Sequence, residues 1–198
     1  MISKDLKFGK KYLAITITVI LLIIPIFFGI YIDFLVVREI SLEVLLFLLI
    51  GFAFLFGLGK LMEFLMYSET SKELMKEHDV VKALLNGYDV KVLLVFFPLT
   101  MVMEELIFRY YLIGLFLYEL NVGILLVTII SSVIFSLYHL HIWFRFKNFK
   151  ILITYLITSF LLGIYNAFIL LTLGIFACVI VHIVLVFILY YSLYKKLS

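Results

Sequence analysis

The sequence has very little charge and almost no cysteine. Of its 198 residues, 15% are charged, and Cys178 is the single cysteine. One cysteine excludes an internal disulfide and any metal site that needs several thiolates. A soluble globular domain is about a quarter charged and about half apolar. The low charge therefore excludes an ordinary soluble domain.

Long apolar runs take the place of the missing charge. Hydrophobic residues make up 66% of the chain, and the mean hydropathy is +1.27. The runs are continuous rather than alternating, which favours helices over strands in lipid. The composition therefore predicts an all-α, polytopic helical bundle in a lipid bilayer. Because the basic residues are dispersed at the ends of the apolar runs, no nucleic-acid partner is predicted.

The apolar runs predict about six membrane spans, each needing roughly 20 residues. Residues 151–194 contain no Asp, Glu, Lys or Arg. This run is twice the length of one span, so it must turn once, and Gly163, Asn166 and Gly174 are the available break points. The predicted spans are approximately 12–32, 41–62, 92–118, 122–144, 151–165 and 174–194.

The basic residues predict that both termini lie in the cytoplasm. In this layout, fourteen of the sixteen Lys and Arg residues lie inside, Arg38 lies outside, and Arg109 lies within a span. Cytoplasmic loops of membrane proteins carry such an excess. We therefore predict a multi-pass protein of the cell membrane. Residues 1–91 would form two N-terminal spans and a cytoplasmic connector helix, and residues 92–198 a four-helix core.

The connector, residues 66–91, is predicted to be a short surface helix. Thr70 and Glu73 have the spacing of a capping box, and Asn86-Gly87 is a stop signal. The segment is either a passive connector in the headgroup region or a gate over a site.

The stretch MVMEELIFRYYLIG, residues 101–114, places three charged residues inside an apolar span. Ionisable residues in a membrane helix are costly and usually face a bundle interior or a cavity. Glu105 and Arg109 are spaced i,i+4, so they can pair. Glu104 points about 100° away around the helix. It has no partner on its own helix, which suits a general base or acid.

Two histidines lie in other predicted spans at compatible depths. At about 1.5 Å per residue, Glu104 and His182 lie about 18 Å from the cytoplasmic ends of their spans, and His139 about 8 Å. One inward-facing polar cavity can therefore hold all three. A carboxylate and an imidazole can deprotonate water, and a second imidazole can donate to an oxyanion. The set predicts amide hydrolysis within the membrane.

The sequence contains no Gly-x-Ser-x-Gly serine motif and no His-Glu-x-x-His zinc motif. No cofactor is therefore predicted. Two histidines and one glutamate can in principle hold zinc, which is the less favoured interpretation.

Three motifs resemble those of one protein family. They are Glu104-Glu105-x-x-Phe108-Arg109, then Phe135-x-x-x-His139, then TLGIFACVIVH leading into His182. Together they resemble the CPBP (Abi) family of intramembrane proteases, which includes the CAAX prenyl endopeptidases. The resemblance covers about residues 98–186.

The resemblance implies a role for each motif residue. Glu104 would be the catalytic base that activates water, His139 would hold and polarise that water, and His182 would stabilise the oxyanion. Glu105 and Arg109 would form a supporting pair, with Phe135 in the motif of the next helix. The implied substrate is a membrane-associated peptide or protein.

One position departs from the family pattern. The family commonly has Asn or Asp four residues after the last histidine, and this chain has Val186, which cannot donate to an oxyanion. Asn166 or a backbone N–H is a possible substitute donor. The departure keeps open a catalytically impaired, CPBP-fold binding protein or bacteriocin-immunity-type protein. A proton-coupled transporter is a further alternative, because buried carboxylates and histidines also form proton relays.

Overall fold

A computed structural model of the chain describes residues 2–198, with side chains from Gly9 onward. Lys4 and Lys7, which belong to the predicted inside charges, lie outside the described side chains. The described residues form helices and no strand, and four helical stretches are long and apolar enough to cross a membrane: Gly9–Phe27, Leu42–Met66, Ile124–Phe146 and Phe149–Leu197. The predicted all-α membrane bundle is confirmed. The six crossings and the inward orientation of both termini stay predictions.

The α-helices are α1 Ile2–Phe27, α2 Leu42–Met66, α3 Glu69–Met75, α4 Asp79–Leu85, α5 Phe97–Glu105, α6 Leu112–Gly114, α7 Ile124–Tyr138, α8 His141–Phe146 and α9 Phe149–Leu197. α1 ends at Phe27, five residues before the predicted end of the span, because the backbone N–H groups of Phe28 and Ile30 both bond back to the carbonyl of Pro25. Gly29, with φ 86°, completes this turn.

Residues 92–119, here called the motif helix, are helical throughout and alternate between α and π turns. The π turns are Val92–Phe96, Leu106–Tyr111 and Leu115–Glu119. Such turns are rare and occur frequently at functional sites. The second π turn begins directly after Glu105 and contains Arg109. Next to it, the fully buried Tyr110 donates its hydroxyl to the carbonyl of Ile30 at 2.7 Å. This bond ties the motif helix to the chain after α1.

α9 is a hairpin of two helical arms that meet at Gly174, where φ is 79° and ψ is 179°. The hydroxyls of Tyr155 and Tyr190 lie 2.7 Å apart, and Cys178 Sγ donates to the carbonyl of Asn166 at 3.1 Å. Antiparallel arms bring both pairs together. The predicted turn is present, but the first arm continues past residue 165 to Gly174, and Asn166 lies inside it.

The predicted span 122–144 is divided into α7 and α8. The backbone N–H of His139 bonds to the carbonyl of Ser136, three residues back, and ψ of His139 is 0°. This tighter bond ends α7 and leaves His139 in the break. Before the break, α7 packs closely on α9, and a Cβ on Gly163 would lie 2.9 Å from the Cα of Ser132.

The connector contains two short helices, α3 and α4, rather than one. Ser68 caps α3 by accepting a hydrogen bond from the N–H of Ser71 at 3.3 Å, so the predicted capping box at Thr70 and Glu73 is wrong. The buried side chains of Val81 and Leu84 pack against α9 and the motif helix. The connector is therefore a packed wall of the structure.

The N-terminal helices pack on the remainder of the chain, α1 on α5 and α2 on α9. Gly59 of α2 allows this close approach, because a Cβ there would lie 2.8 Å from Leu189 of α9. The division into residues 1–91 and 92–198 stays a prediction.

Candidate active site

The two consecutive glutamates of the motif helix face different surroundings. Glu105 is fully buried, whereas Glu104 is 4% exposed and lines a cavity of about 570 Å³. Consecutive helical residues point about 100° apart. One carboxylate therefore faces the packed interior against α9, and the other faces the cavity.

Glu105 is held by one residue from each arm of α9. Its Oε1 accepts a hydrogen bond from Asn166 Nδ2 at 2.9 Å and another from His182 Nδ1 at 2.6 Å. Asn166 lies eight residues before Gly174 and His182 lies eight residues after it. Each is therefore about 12 Å from the turn along its arm. The hairpin places both donors at the same depth.

Arg109 provides the positive charge beside Glu105. Its Nε lies 3.4 Å from Glu105 Oε2, and both side chains are fully buried. Its guanidinium carbon lies 3.9 Å from the ring centroid of Phe135, in cation–π geometry. Within the described part of the chain, the guanidinium nitrogens make no hydrogen bond. Because a buried charge without a partner costs about 3–5 kcal/mol, the ion pair and the ring are what make this burial tolerable.

Phe135 also contacts both histidines of the site. Its ring lies edge-to-face with His139 at 4.9 Å and with His182 at 5.8 Å between centroids. Such perpendicular pairs are a preferred aromatic geometry. The ring of Phe135 therefore fixes the position of both imidazoles relative to the motif helix.

His139 has one ring nitrogen committed to its own helix. Its Nδ1 lies 2.9 Å from the carbonyl of Phe135, and a carbonyl requires a donor. The proton of a neutral ring is thereby assigned to Nδ1, and Nε2 is left as the acceptor. His139 lines the same cavity as Glu104. No hydrogen bond or ion pair between these two residues occurs among the described side chains.

His182 bridges the two glutamates. Its Nδ1 donates to Glu105, and its Nε2 lies 3.8 Å from Oε2 of Glu104. Over the described residues, that Glu104 oxygen has no hydrogen-bond partner. Five of the predicted site residues therefore form one contiguous group. His139 lies at the edge of this group, where its ring contacts Phe135. The group comprises Glu104, Glu105, Arg109, Phe135 and His182.

Val186 is the position at which the sequence departs from the family pattern. Val186 lines the cavity one turn after His182. Asn166, considered above as a substitute, is fully buried and donates its amide to Glu105. Asn166 is not among the residues that line the cavity, so of the two substitute donors considered above, only a backbone N–H stays open.

Tyr138 is a cavity residue that the sequence motifs did not single out. It precedes His139 directly, and its ring lies 5.5 Å from that imidazole. It lines the cavity with Glu104, and its hydroxyl makes no hydrogen bond to any described residue. Two other hydroxyl residues of the cavity wall, Thr158 and Ser159, donate to carbonyls of α9. The sequence signal that could have identified Tyr138 is its position directly before a motif histidine.

Metal ligands are not clustered in the described part of the chain. Among its residues, no three His, Cys, Asp or Glu side chains are grouped closely enough to hold a metal ion. The prediction that no cofactor is needed stays a prediction.

The comparisons with known proteins give one match. The family model for Type II CAAX prenyl endopeptidase Rce1-like proteins matches residues 86–188. This range contains all the motif residues described above. No curated protein and no solved structure matches the chain.

Proposed function

Because the chain belongs to the Type II CAAX prenyl endopeptidase Rce1-like family, we propose that it is an intramembrane endopeptidase that hydrolyses a peptide bond with a water activated by Glu104. The observation that carries the proposal is the cavity-facing carboxylate of Glu104, whose Oε2 lies 3.8 Å from His182. A general base must be able to reach the proton that it removes. A carboxylate oxygen without a protein partner meets that requirement.

The reaction needs only water and the peptide. Glu104 removes a proton from water while the water oxygen bonds to the carbonyl carbon. The carbonyl electron pair moves onto oxygen and gives a tetrahedral oxyanion. Glu104 then passes the proton to the amide nitrogen, and the C–N bond breaks to give an acid and an amine. Nε2 of His139, the free acceptor of that ring, holds the second hydrogen of the attacking water.

The charges of the site support a role in proton transfer. With both carboxylates ionised and His182 neutral, the group of Glu104, Glu105, Arg109 and His182 carries one net negative charge. One added proton, on Glu104 or on His182, makes this buried group neutral. Buried sites strongly disfavour unbalanced charge. The group therefore holds one proton that can move between the base and the histidine beside it.

His182 and Tyr138 are the donors that we assign to the oxyanion. When His182 carries the mobile proton described above, both of its ring nitrogens are donors, and Nδ1 keeps its hydrogen bond to Glu105 at 2.6 Å. In that form, Nε2–H is free to donate. Tyr138 also lines the cavity, and we assign its hydroxyl as the replacement for the donor that Val186 cannot supply. Removal of one such donor typically costs about 100- to 1,000-fold in rate.

The proposed substrate is a membrane-associated peptide or protein, and the proposed location is the cell membrane. Apolar side chains line much of the cavity, including Leu55, Leu162 and Leu185. Such walls suit an apolar peptide segment, with the polar site residues setting its orientation.

The test compares membranes from cells that express wild-type protein, Glu104→Gln or His139→Ala. Mass spectrometry of the peptides identifies products that depend on the protein. Glutamine keeps the shape of the carboxylate and removes the base, so cleavage should fall by at least about 100-fold, the lower range for general base catalysis. The matched control is Glu69→Gln, because Glu69 is exposed and pairs with Lys72 outside the cavity. An unchanged peptide profile in both site variants would refute the proposal.

A second candidate is a binding protein on the same fold, favoured by the valine that lines the cavity one turn after His182. It retains the cavity and needs no oxyanion donor. A cellular phenotype of the protein that survives combined loss of Glu104 and His139 would favour binding over cleavage.

A further inference from the structure

Two cations line the end of the cavity next to the connector, here called the mouth. Lys11 of α1 and Arg145 of α8 both contact Asp79, which begins α4. Lys11 Nζ lies 2.6 Å from one carboxylate oxygen, and Arg145 Nη2 lies 2.7 Å from the other. All three residues line the cavity. One carboxylate thus fixes two cations from separate helices, and the trio carries one net positive charge.

Asp79 is a fixed anchor for these cations. It lies on the packed connector wall, where its neighbours Val80 and Val81 are 3% and 0% exposed. Although burial opposes its ionisation, hydrogen bonds from Arg145 and Lys11 hold the pKa of Asp79 well below its usual range. Asp79 therefore stays charged at neutral pH and keeps both cations in position.

The two cations retain donors that Asp79 does not use. A lysine ammonium has three N–H donors and an arginine guanidinium has five. Lys11 and Arg145 are 49% and 33% exposed, whereas Asp79 is 20% exposed. The positive side of this ion-pair group is therefore the more accessible side.

The charge at this end of the cavity is positive for a second reason. Glu63, another carboxylate that lines the cavity, is also bound by two cations, Lys60 and Lys196, each at 2.7 Å. Unlike Lys11 and Arg145, these two lysines are not part of the cavity wall. They add positive charge behind the wall, whereas Lys11 and Arg145 can touch a ligand.

From these contacts, we infer that Lys11 and Arg145, fixed by Asp79, form a binding subsite for a carboxylate of the peptide ligand. The inference rests on the proposed function, because the ligand is the peptide that enters the active-site cavity. Arginine and lysine bind carboxylates through charge-assisted hydrogen bonds, which are the stronger class. The carboxylate is either the free C-terminus or an acidic side chain near it.

The subsite lies within reach of a peptide held at the active site. Tyr190 contacts His78, the neighbour of Asp79, at 3.0 Å, and His182 lies eight residues earlier on the same arm of α9. Eight helical residues span about 12 Å. An extended peptide covers this distance in about three to four residues. A carboxylate bound at the mouth therefore selects peptides by the distance between that group and the scissile bond.

The test measures binding of three probes to full-length protein in phosphatidylcholine vesicles. The probes are a fluorescein-labelled Leu-Ala-Leu-Ala-Leu peptide with a free C-terminus, its C-terminal amide, and an amide with glutamate at the last position. The protein carries Glu104→Gln, so that no probe is cleaved. One charge-assisted hydrogen bond at this partly exposed site should give roughly tenfold tighter binding of a carboxylate probe than of the plain amide.

The preference should disappear in Lys11→Gln and Arg145→Gln and remain in Lys11→Arg. The matched control is Lys196→Gln, which removes the same charge away from the cavity wall and should keep the preference. Preference for the free C-terminus identifies the terminal carboxylate, and preference for the glutamate amide identifies a side chain.

Equal binding of all three probes, including no binding of any, would overturn the subsite. Loss of the preference in Lys196→Gln as well would also overturn it, because a general surface charge would then be responsible. The proposed function is scored separately by cleavage with wild-type protein. A carboxylate preference without cleavage would refute the protease and leave the subsite in place.

Discussion

Replacement of Gly174 by alanine should destabilise the protein strongly, because two separate costs meet at this residue. Its φ of 79° with ψ of 179° lies in a region that is almost exclusive to glycine, and forcing another residue there costs about 1–3 kcal/mol. A Cβ would also lie 2.9 Å from the carbonyl oxygen of Phe34 and 3.1 Å from that of Val36. These are backbone atoms and cannot rotate away, so overpacking adds about 1–3 kcal/mol. The expected loss of unfolding free energy is therefore about 2–6 kcal/mol.

Two other glycines separate these costs. Gly29 has φ +86°, but no atom lies within 4 Å of the position that a Cβ would occupy, so Gly29→Ala should show only a backbone cost of about 1–2 kcal/mol. Gly57 lies in α2 with neither a positive φ nor a close neighbour, so Gly57→Ala should be neutral or stabilising by up to about 1 kcal/mol. The assay is the free energy of unfolding of purified protein in mixed micelles, titrated with a denaturing detergent.

The order of the three variants tests the reasoning. Gly174→Ala should be the least stable, Gly29→Ala intermediate, and Gly57→Ala the most stable. If Gly174→Ala were as stable as Gly57→Ala, the hairpin turn at Gly174 would be wrong. Because that turn sets the depth of Asn166 and His182, the arrangement around Glu105 would then be wrong as well.

Three further predictions address the site and the connector. Tyr138→Phe should lower kcat by roughly 100-fold with little change in KM, as expected for loss of an oxyanion donor, whereas Tyr155→Phe should not. Asn166→Ala should lower the free energy of unfolding by about 1–3 kcal/mol, because a buried hydrogen bond to the charged Glu105 is lost. Burial, with a contribution from nearby Arg145, lowers the pKa of His78 from 6.5 to about 3. The unfolded connector binds a proton at His78 at a higher pH than the folded connector does. The stability that neutral His78 contributes is therefore complete above pH 6.5 and is lost as the pH falls from 6.5 towards 3. At about pH 5 the loss is up to about 2 kcal/mol, seen as faster hydrogen exchange in α3 and α4.

Each of these predictions has a result that contradicts it. Equal kcat values for Tyr138→Phe and wild type would show that the hydroxyl of Tyr138 does not donate to the oxyanion. If Asn166→Ala had the same free energy of unfolding as wild type, the hydrogen bond from Asn166 to Glu105 would not stabilise the protein. For the connector, His78→Gln is the control, because it removes the titrating group. If acid increased exchange equally in that variant, another group would be responsible.

The sequence predicted the helices well where the cause is local. Apolar runs must form helices in lipid because backbone groups have no other partners there, and the motif helix lies within one residue of its predicted end. The pair of Glu105 and Arg109 was predicted from i,i+4 spacing alone, and the two residues lie 3.4 Å apart. The membership of the family was also predicted, from the resemblance of three short motifs to those of the family. These features depend on residues close together in the sequence.

The break points were harder to predict, because several residues were equally able to supply them. Three positions could turn the run 151–194, and Gly174 is the turn because carbonyls after α1 pack against it, where no Cβ fits. Asn166, another of the three, is instead a helical residue that binds Glu105. That contact joins residues 61 positions apart, so no local pattern reveals it.

The sequence by itself determined that this chain is a helical membrane protein, which follows from its composition. It also determined which residues carry the family motifs, through their resemblance to the family pattern. Only the tertiary structure decided what those residues touch. It brought Glu105 into contact with Asn166 and His182, left Glu104 facing the cavity, and placed Tyr138 in the wall of the same cavity. It also brought Lys11 and Arg145 onto one carboxylate. The physical reason is that these contacts join separate helices, and their geometry is set by how the helices pack rather than by any one segment.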